Sequence, residues 1–276
     1  MPLPTAQVVE NSGWSAALAL RYAVRHDRTS LIERRHHGPL SVQRPFYPES
    51  DGTCHTYLLH PPAGVVGGDE LAVTMTLETD TKALVTTPGA TRWYYSAGRT
   101  ATISQIARLN NGAMIEWMPQ ETLLFDGANA NLNTCIELTG NAKFLGWEIL
   151  SFGRPACREE FSCGSLDFRF ELVRDGVLIL RERLRSNGLP AGLMGYAGHM
   201  TFVATGADDL VLQTAQEVCN YSVNALCGAT LIGDVLIVRG LAKDCAPLTD
   251  LSRELWRLLR PMVSGRSAVT PRIWRT

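Results

Sequence analysis

Apolar and polar residues alternate through most of the first two hundred positions, a pattern that predicts β-strands. In the segment 69–78, Leu71, Val73, Met75 and Leu77 would share one face of a strand. Turn pairs such as Pro-Gly and Asp-Gly separate the segments, so we expect an all-β body without a fixed repeat. The predicted strands cover 14–24, 31–35, 54–60, 69–78, 83–87, 91–95, 100–109, 113–118, 132–139, 143–151, 166–173 and 177–184.

The last third of the chain has a different period. Apolar residues recur at helical spacing over 208–221 and again over 249–259, which predicts two α-helices. Asp208 can cap the first helix, and Pro261 is expected to end the second. The segment LIGDVLIVRG between them is predicted to be one more strand.

Composition narrows the class of protein. The chain has 276 residues and a formal net charge of −1, which gives no long-range attraction to nucleic acid or acidic membranes. No apolar run is long enough to span a bilayer, and the N-terminus has no basic start or apolar stretch typical of a signal peptide. Seven cysteines without framework spacing favour reduced thiols in the cytoplasm. We expect a flexible segment 1–12 and a single domain over 13–276.

Four carboxylates have the parity of core residues. Asp69 opens the strand 69–78 on its apolar face, and Glu182 shares a face with leucines. Glu148 lies in FLGWEIL, which is apolar on both faces and so predicts a strand buried on both sides. Glu116 lies between two methionines. Each buried ion costs several kcal/mol to desolvate, so such a set requires compensation.

Two kinds of compensation are open. Each acid could pair with an arginine, and Arg92, Arg154, Arg169, Arg181 and Arg183 are available. Alternatively, the four acids could line a wet interior that attracts a divalent cation, which scattered oxygen ligands would hold loosely.

Common catalytic and metal motifs are absent from the sequence. It has no phosphate-binding G-x-x-x-x-G-K-[ST] loop, no G-x-S-x-G elbow and no H-E-x-x-H zinc motif. Cys54 and His55 would face opposite sides of a strand, and Cys54 and His60 would lie ~20 Å apart, so they predict no metal cluster.

Several blocks, in this order, closely resemble the UreD family of urease accessory proteins, called UreH in some bacteria. They are GPLSVQRPFYPE, HPPAGVVGGDE, LVTTPGATRWYYS, MIEWMPQETLLFDGA, FLGWEIL with FGR, and PRIWRT. The resemblance extends from about Gly13 to the last residue. Ala63 stands where the family usually has glycine, and Glu148 where some members carry aspartate.

The resemblance implies a mostly β fold, a helical winding of strands with two α-helices. It also implies a scaffold without catalysis of its own, which binds apo-urease together with UreF and the GTPase UreG. This assembly inserts nickel into urease. Asp69 and Glu182 match family positions linked to nickel passage. Glu148 and Glu116 are added here from their parity, and nickel is expected in transit rather than as a tightly bound cofactor.

Two other functions fit the interior acids. A β-helical carbohydrate-active enzyme could use Asp69 and Glu182 as acid and base if they lay ~5–10 Å apart in a cleft. A structural adaptor would have all of its interior acids paired with arginine.

Overall fold

The computed structural model describes residues 13–62 and 64–275. Within them the chain forms nineteen strands, numbered β1 to β19 in chain order, and two α-helices. Strands account for 51% of the structure. The segment 1–12, predicted to be flexible, and Ala63 lie outside the described residues.

Seven strands form the first sheet. They are β1 (Ser15–Arg25), β2 (Arg28–His37), β6 (Glu70–Leu77), β9 (Ala101–Leu109), β12 (Asn129–Leu138), β15 (Ser165–Arg174) and β16 (Val177–Asn187). Their spatial order is β16-β15-β12-β9-β6-β1-β2, so β2 and β16 are its edges.

Twelve strands form the second sheet. They are β3 (Ser41–Val42), β4 (Cys54–Leu59), β5 (Gly64–Val65), β7 (Lys82–Thr86), β8 (Thr91–Trp93), β10 (Met114–Met118), β11 (Thr122–Leu124), β13 (Lys143–Arg154), β14 (Glu159–Glu160), β17 (Gly198–Thr205), β18 (Leu226–Ile232) and β19 (Val235–Ala242). The main path runs β18-β19-β17-β13-β10-β7-β4-β3, and β5, β8, β11 and β14 pair beside it.

The chain winds between the two sheets, about four turns in all. Successive turns place β6, β9, β12 and β15 side by side in parallel in the first sheet, and β4, β7, β10 and β13 in the second. The predicted helical winding of strands is therefore confirmed. It needs no sequence repeat, because backbone hydrogen bonds hold the parallel strands together whichever side chains fill the turn.

Two cores follow from this arrangement. One lies between the sheets, and the other lies between the second sheet and the helices. Residues of β12 alternate between buried and partly exposed, so the first sheet has one core face. Phe144 to Phe152 of β13 are buried at every position, as predicted for the strand that carries Glu148.

The helices match the prediction in number and place. Helix α1 spans Asp209–Tyr221, and the Asp208 carboxylate accepts a hydrogen bond from the Val211 backbone N–H at 3.0 Å. Helix α2 spans Ala246–Ser264, longer than predicted at both ends. Pro247 is tolerated in its first turn, where backbone N–H groups have no helical partner.

Pro261 was wrongly predicted to end α2. The helix continues past it for one turn, and the Gly265 N–H then closes the end by donating to the Pro261 carbonyl at 2.8 Å. The Lys143 ammonium also donates to the Val263 carbonyl at 2.6 Å, which satisfies an end group of the helix.

Several strands were not predicted as they occur, among them the short strands β5, β11 and β14. The segment LIGDVLIVRG is not one strand, because β18 ends at Ile232 and β19 begins at Val235, with Gly233 in the left-handed conformation between them. Strand β17 was not predicted at all. It is almost fully buried and therefore lacks the alternation on which the prediction depended.

Residues near the C-terminus complete the second core. The Trp274 ring lies 5.8 Å from that of Trp147 and 5.5 Å from that of Trp256, between centroids. Its indole N–H donates to the Thr86 hydroxyl at 3.2 Å.

In the described part of the chain, no helix is long and apolar enough to cross a membrane.

Candidate functional site

Glu148 is the central residue of the candidate site. It lies on the face of β13 that points between the sheets, and only 4% of its surface is exposed. The Thr134 hydroxyl of β12 and the Trp117 indole N–H of β10 both donate to Oε1, each at 3.0 Å. Since Thr134 belongs to the first sheet, the carboxylate joins the two sheets across the core.

Glu148 has no cationic partner among the described residues. Burial raises the pKa of its carboxyl group to about 7, although the hydrogen bonds from Trp117 and Thr134 oppose this. Near neutral pH both the neutral and the ionised forms of the group are therefore populated. A positive ion at this place would favour ionisation and release the proton.

Other polar groups lie on the strands that flank or face Glu148. The Gln105 amide of β9 donates to the Thr134 hydroxyl at 3.0 Å, which extends the hydrogen-bonded chain along the first sheet. Thr201 of β17 pairs directly with Glu148, and its buried hydroxyl has no hydrogen-bond partner in the described structure. The same holds for Nδ1 of His199, two residues away. Burial lowers the pKa of His199 to about 4, against the attraction of Glu182, so the ring is neutral.

Glu182 lies at the open edge of this interior, on β16. Arg239 of β19 binds both of its oxygens, with Nε at 3.0 Å from Oε2 and Nη2 in contact with Oε1. The Arg239 side chain is 49% exposed and that of Glu182 16%. Arg239 pairs with Thr201, which pairs with Glu148, so the backbone of Arg239 lies two strand spacings, or about 10 Å, from the backbone of Glu148.

Asp69 lies elsewhere, in the turn that begins β6. Its carboxylate accepts hydrogen bonds from the backbone N–H groups of Trp14 at 2.8 Å and Val66 at 2.9 Å. It also lines a cavity of about 350 Å³ together with Tyr94 and Arg99. Asp69 therefore closes the turn ahead of the strand as well as presenting charge to this cavity.

Asp69 and Glu182 are far apart. Strands β6 and β16 are separated by four strand spacings of the first sheet, about 19 Å. The distance of ~5–10 Å required of a glycosidase acid and base is not met, so the carbohydrate-enzyme alternative is wrong for this pair.

Glu116 lies on the opposite face of the second sheet. Its carboxylate is fully buried under α2 and accepts from Arg260 Nε at 2.9 Å, Arg266 Nη2 at 2.8 Å and Trp256 Nε1 at 2.8 Å. The expectation that all four acids line one interior is therefore wrong. Strand β10 is buried on both faces, so parity alone could not tell which core Glu116 enters.

Arginine pairing explains two of the four acids, but not with the expected partners. Glu182 and Glu116 pair with arginines of the C-terminal third. Three of the arginines considered from the sequence are bound to other acids: Arg154 to Glu159, Arg181 to Glu171, and Arg183 to Asp167.

A second cavity is lined in part by residues of the core between the sheets. It has a volume of about 240 Å³, and its lining includes His60, Arg92, Val73 and Gln105. Gln105 is also the first member of the hydrogen-bonded chain that leads through Thr134 to Glu148. Across residues 13–62 and 64–275, no three His, Cys, Asp or Glu side chains are grouped to hold a metal ion.

Comparison with known proteins gives the family. Residues 15–275 match the family model described as UreD urease accessory protein. The chain belongs to the UreD family. A urease accessory protein UreD from Alcanivorax borkumensis is 42% identical over 276 residues, covering 96% of this chain and 94% of that protein. UreD proteins from Citrobacter koseri and Pseudomonas entomophila are 42% and 43% identical over 267 residues, each covering 96% of this chain and 92% and 95% of theirs.

The resemblance that the sequence blocks indicated is thus confirmed, and UreD proteins are named as accessory proteins rather than as enzymes.

The sequence did not point to Thr134, Trp117 or Arg239 as neighbours of the acids. The sequence does contain a signal for Thr134, because it falls on the same strand face as the apolar residues Leu132 and Ile136. The sequence contains no such signal for Arg239, because the hairpin of β18 and β19 was not predicted.

Proposed function

We propose that this chain is a non-enzymatic metallochaperone subunit that acts in the cytoplasm during urease maturation. In this proposal it binds apo-urease together with UreF and UreG, and it guides nickel through the space between its two sheets. The observation that carries the proposal is Glu148, a buried carboxylate without a cationic partner among the described residues. Membership of the UreD family supports the urease part.

The nickel ion would be cargo and would not stay. A site with one carboxylate and neutral oxygen groups binds a divalent cation weakly, which suits transit. Glu148 can lose its proton as the ion arrives and recover it as the ion leaves, since its pKa is raised to about 7. Water would complete the coordination shell.

The four acids have unequal parts in this proposal. Glu182 would contribute when Arg239 swings away, which its exposure permits. Asp69 would attract the ion at its own cavity with the lone pairs that the two backbone N–H groups leave free. Glu116 is the least suited, because its oxygens are bound by two arginines and a tryptophan, and it anchors α2.

Partner surfaces are proposed on the C-terminal helices. A groove of about 580 Å³ lies between α1 and α2, and Tyr221 and Val223 beside it are 84% and 93% exposed. Exposed apolar area of this kind lowers solubility unless a partner covers it. We expect more of the chain in the soluble fraction of a lysate when a UreF-like partner is co-expressed. Equal solubility with and without it would count against this surface.

The test of the central proposal is nickel loading of urease in cells that produce urease and all accessory proteins. Glu148→Gln removes the charge and keeps the shape, so we expect nickel per urease to fall while the complex still assembles in a pull-down. Glu137→Gln is the matched control, since Glu137 is a half-exposed glutamate on the outer face of β12, paired with Arg108. Normal loading by Glu148→Gln would refute the role of Glu148.

The adaptor alternative needs a separate test. A double variant with Asp69→Ala and Glu182→Ala should assemble with its partners but load urease poorly if these acids conduct nickel. If assembly and loading both survive, the chain is an adaptor.

A further inference from the structure

Cys219 and Cys227 are neighbours at the join between α1 and β18. Cys219 lies in the last turn of the helix and Cys227 is the second residue of the strand, with the loop 222–225 between them. The Cys227 thiol donates to the Cys219 carbonyl oxygen, with Sγ 3.5 Å from that oxygen. All seven cysteines are free thiols.

The two thiols differ in acidity and access. The neighbouring Cys219 thiol lowers the pKa of Cys227 to about 7, with a further contribution from Ser222, against the effect of burial. The Cys227 thiol and burial raise the pKa of Cys219. Cys227 is half-buried, whereas Cys219 is buried. One thiol is therefore suited to attack a reagent from solvent and the other to react afterwards.

We propose that Cys227 and Cys219 form a redox modification site that reacts with low-molecular-weight disulfides of the glutathione class. The Cys227 thiolate attacks one sulfur of the disulfide, forms a mixed disulfide and releases one thiolate. Cys219 loses its proton to solvent and attacks Cys227 Sγ, which forms the Cys219–Cys227 bond and releases the second thiolate. The two cysteines are oxidised by two electrons, and the reagent is reduced to two thiols.

The site acts on the loop that it encloses. The residues between the cysteines include Tyr221 and Val223, both strongly exposed, and Ser222, Val223 and Asn224 form part of the wall of the groove between α1 and α2. A disulfide would fasten the end of α1 to β18 and restrict this loop. The oxidation state of the pair would therefore change the shape of the groove.

Trypsin gives a direct measurement on the full chain. Residues 186–239 contain no lysine or arginine before Arg239, so they form one peptide, and Cys219 and Cys227 are its only cysteines. The protein is equilibrated with oxidised and reduced glutathione at pH 7, alkylated and digested. We expect this peptide to lose two hydrogens and carry no alkyl group, and dithiothreitol to reverse both changes.

Two variants separate the roles of the thiols. Cys219→Ser should stop at the mixed disulfide, so the peptide gains one glutathionyl group. Cys227→Ser should lose the fast reaction. Early in the reaction, Cys227 should react more than about threefold faster than Cys163, because the larger thiolate fraction of Cys227 outweighs its lower nucleophilicity. Cys163, exposed and with a pKa raised by burial and Asp126, is the internal reference.

The control is the same reaction in urea, where the preference for Cys227 should vanish. The proposal is overturned if no internal disulfide forms in the folded protein while Cys163 becomes glutathionylated. It is also overturned if Cys219→Ser and Cys227→Ser give the same products at the same rate.

Discussion

Glu148 and Glu116 are buried glutamates on opposite faces of the second sheet, and they are compensated in different ways. Glu116 is held by Arg260 and Arg266 under α2. Glu148 receives only neutral hydrogen bonds, from Thr134 and Trp117. Burial of a carboxylate thus has two outcomes in one sheet: a fixed charge within an ion network, and a group that can gain or lose a proton.

The largest expected effect comes from Glu116→Gln. The change leaves the buried guanidinium of Arg260 without its main anionic partner, and breaking a buried pair on one side costs about 3–5 kcal/mol. Urea unfolding should show this loss of stability at pH 7. Glu148→Gln should cost far less at the same pH. Equal losses in the two variants would remove the distinction.

Glu148 should make stability depend on pH. Its folded pKa of about 7 lies above the unfolded value of about 4.3, so the folded state holds the proton more strongly. This contribution is complete below about pH 4.3 and is lost as pH rises through 7, about 4 kcal/mol in all, because each unit of pKa difference is worth about 1.4 kcal/mol. The free energy of unfolding of Glu148→Gln, measured from pH 5 to 8, should lack this decline. Parallel profiles for the two proteins would show that Glu148 does not titrate there.

Thr134→Val should have a smaller effect that depends on the charge of Glu148. The variant removes the hydroxyl donor, which is worth about 2 kcal/mol towards an ionised acceptor and about 1 kcal/mol towards a neutral one. We therefore expect a larger loss of stability at pH 8 than at pH 5. Adding Glu148→Gln should make the cost of Thr134→Val independent of pH.

Arg239→Gln should have the smallest effect on stability. The Arg239 side chain is half exposed, and pairs of this kind contribute less than about 1 kcal/mol. A loss as large as that of Glu116→Gln would mean that the edge of the interior is as tightly held as the core under α2. Urea unfolding of both variants in low and high salt would decide this, since only the exposed pair should be sensitive to salt.

The sequence predicted the β body, the two helices and the inward parity of the acids. Alternation works well where one strand face meets solvent, as in β6 and β12. It failed for β17, which is buried on both faces. It also could not assign Glu116 to a core, because a strand apolar on both sides gives no direction.

The partners of the acids could not be predicted, because they depend on the topology of the winding. Arg239 meets Glu182 across an edge formed by two hairpins, 57 positions apart in the chain. Local patterns contain no information at such separations. The hydrogen bond from Thr134 to Glu148 also depends on topology, because it forms where β12 of the first sheet faces β13 of the second.

The ion network under α2 also has a consequence for synthesis. Arg260 and Arg266 follow Glu116 in the chain by 144 and 150 residues. During synthesis Glu116 therefore leaves the ribosome long before Arg260 and Arg266. Until α2 has been synthesised, the outer face of the second sheet stays exposed to solvent. We expect the nascent chain to need protection from a general folding factor until α2 emerges and docks.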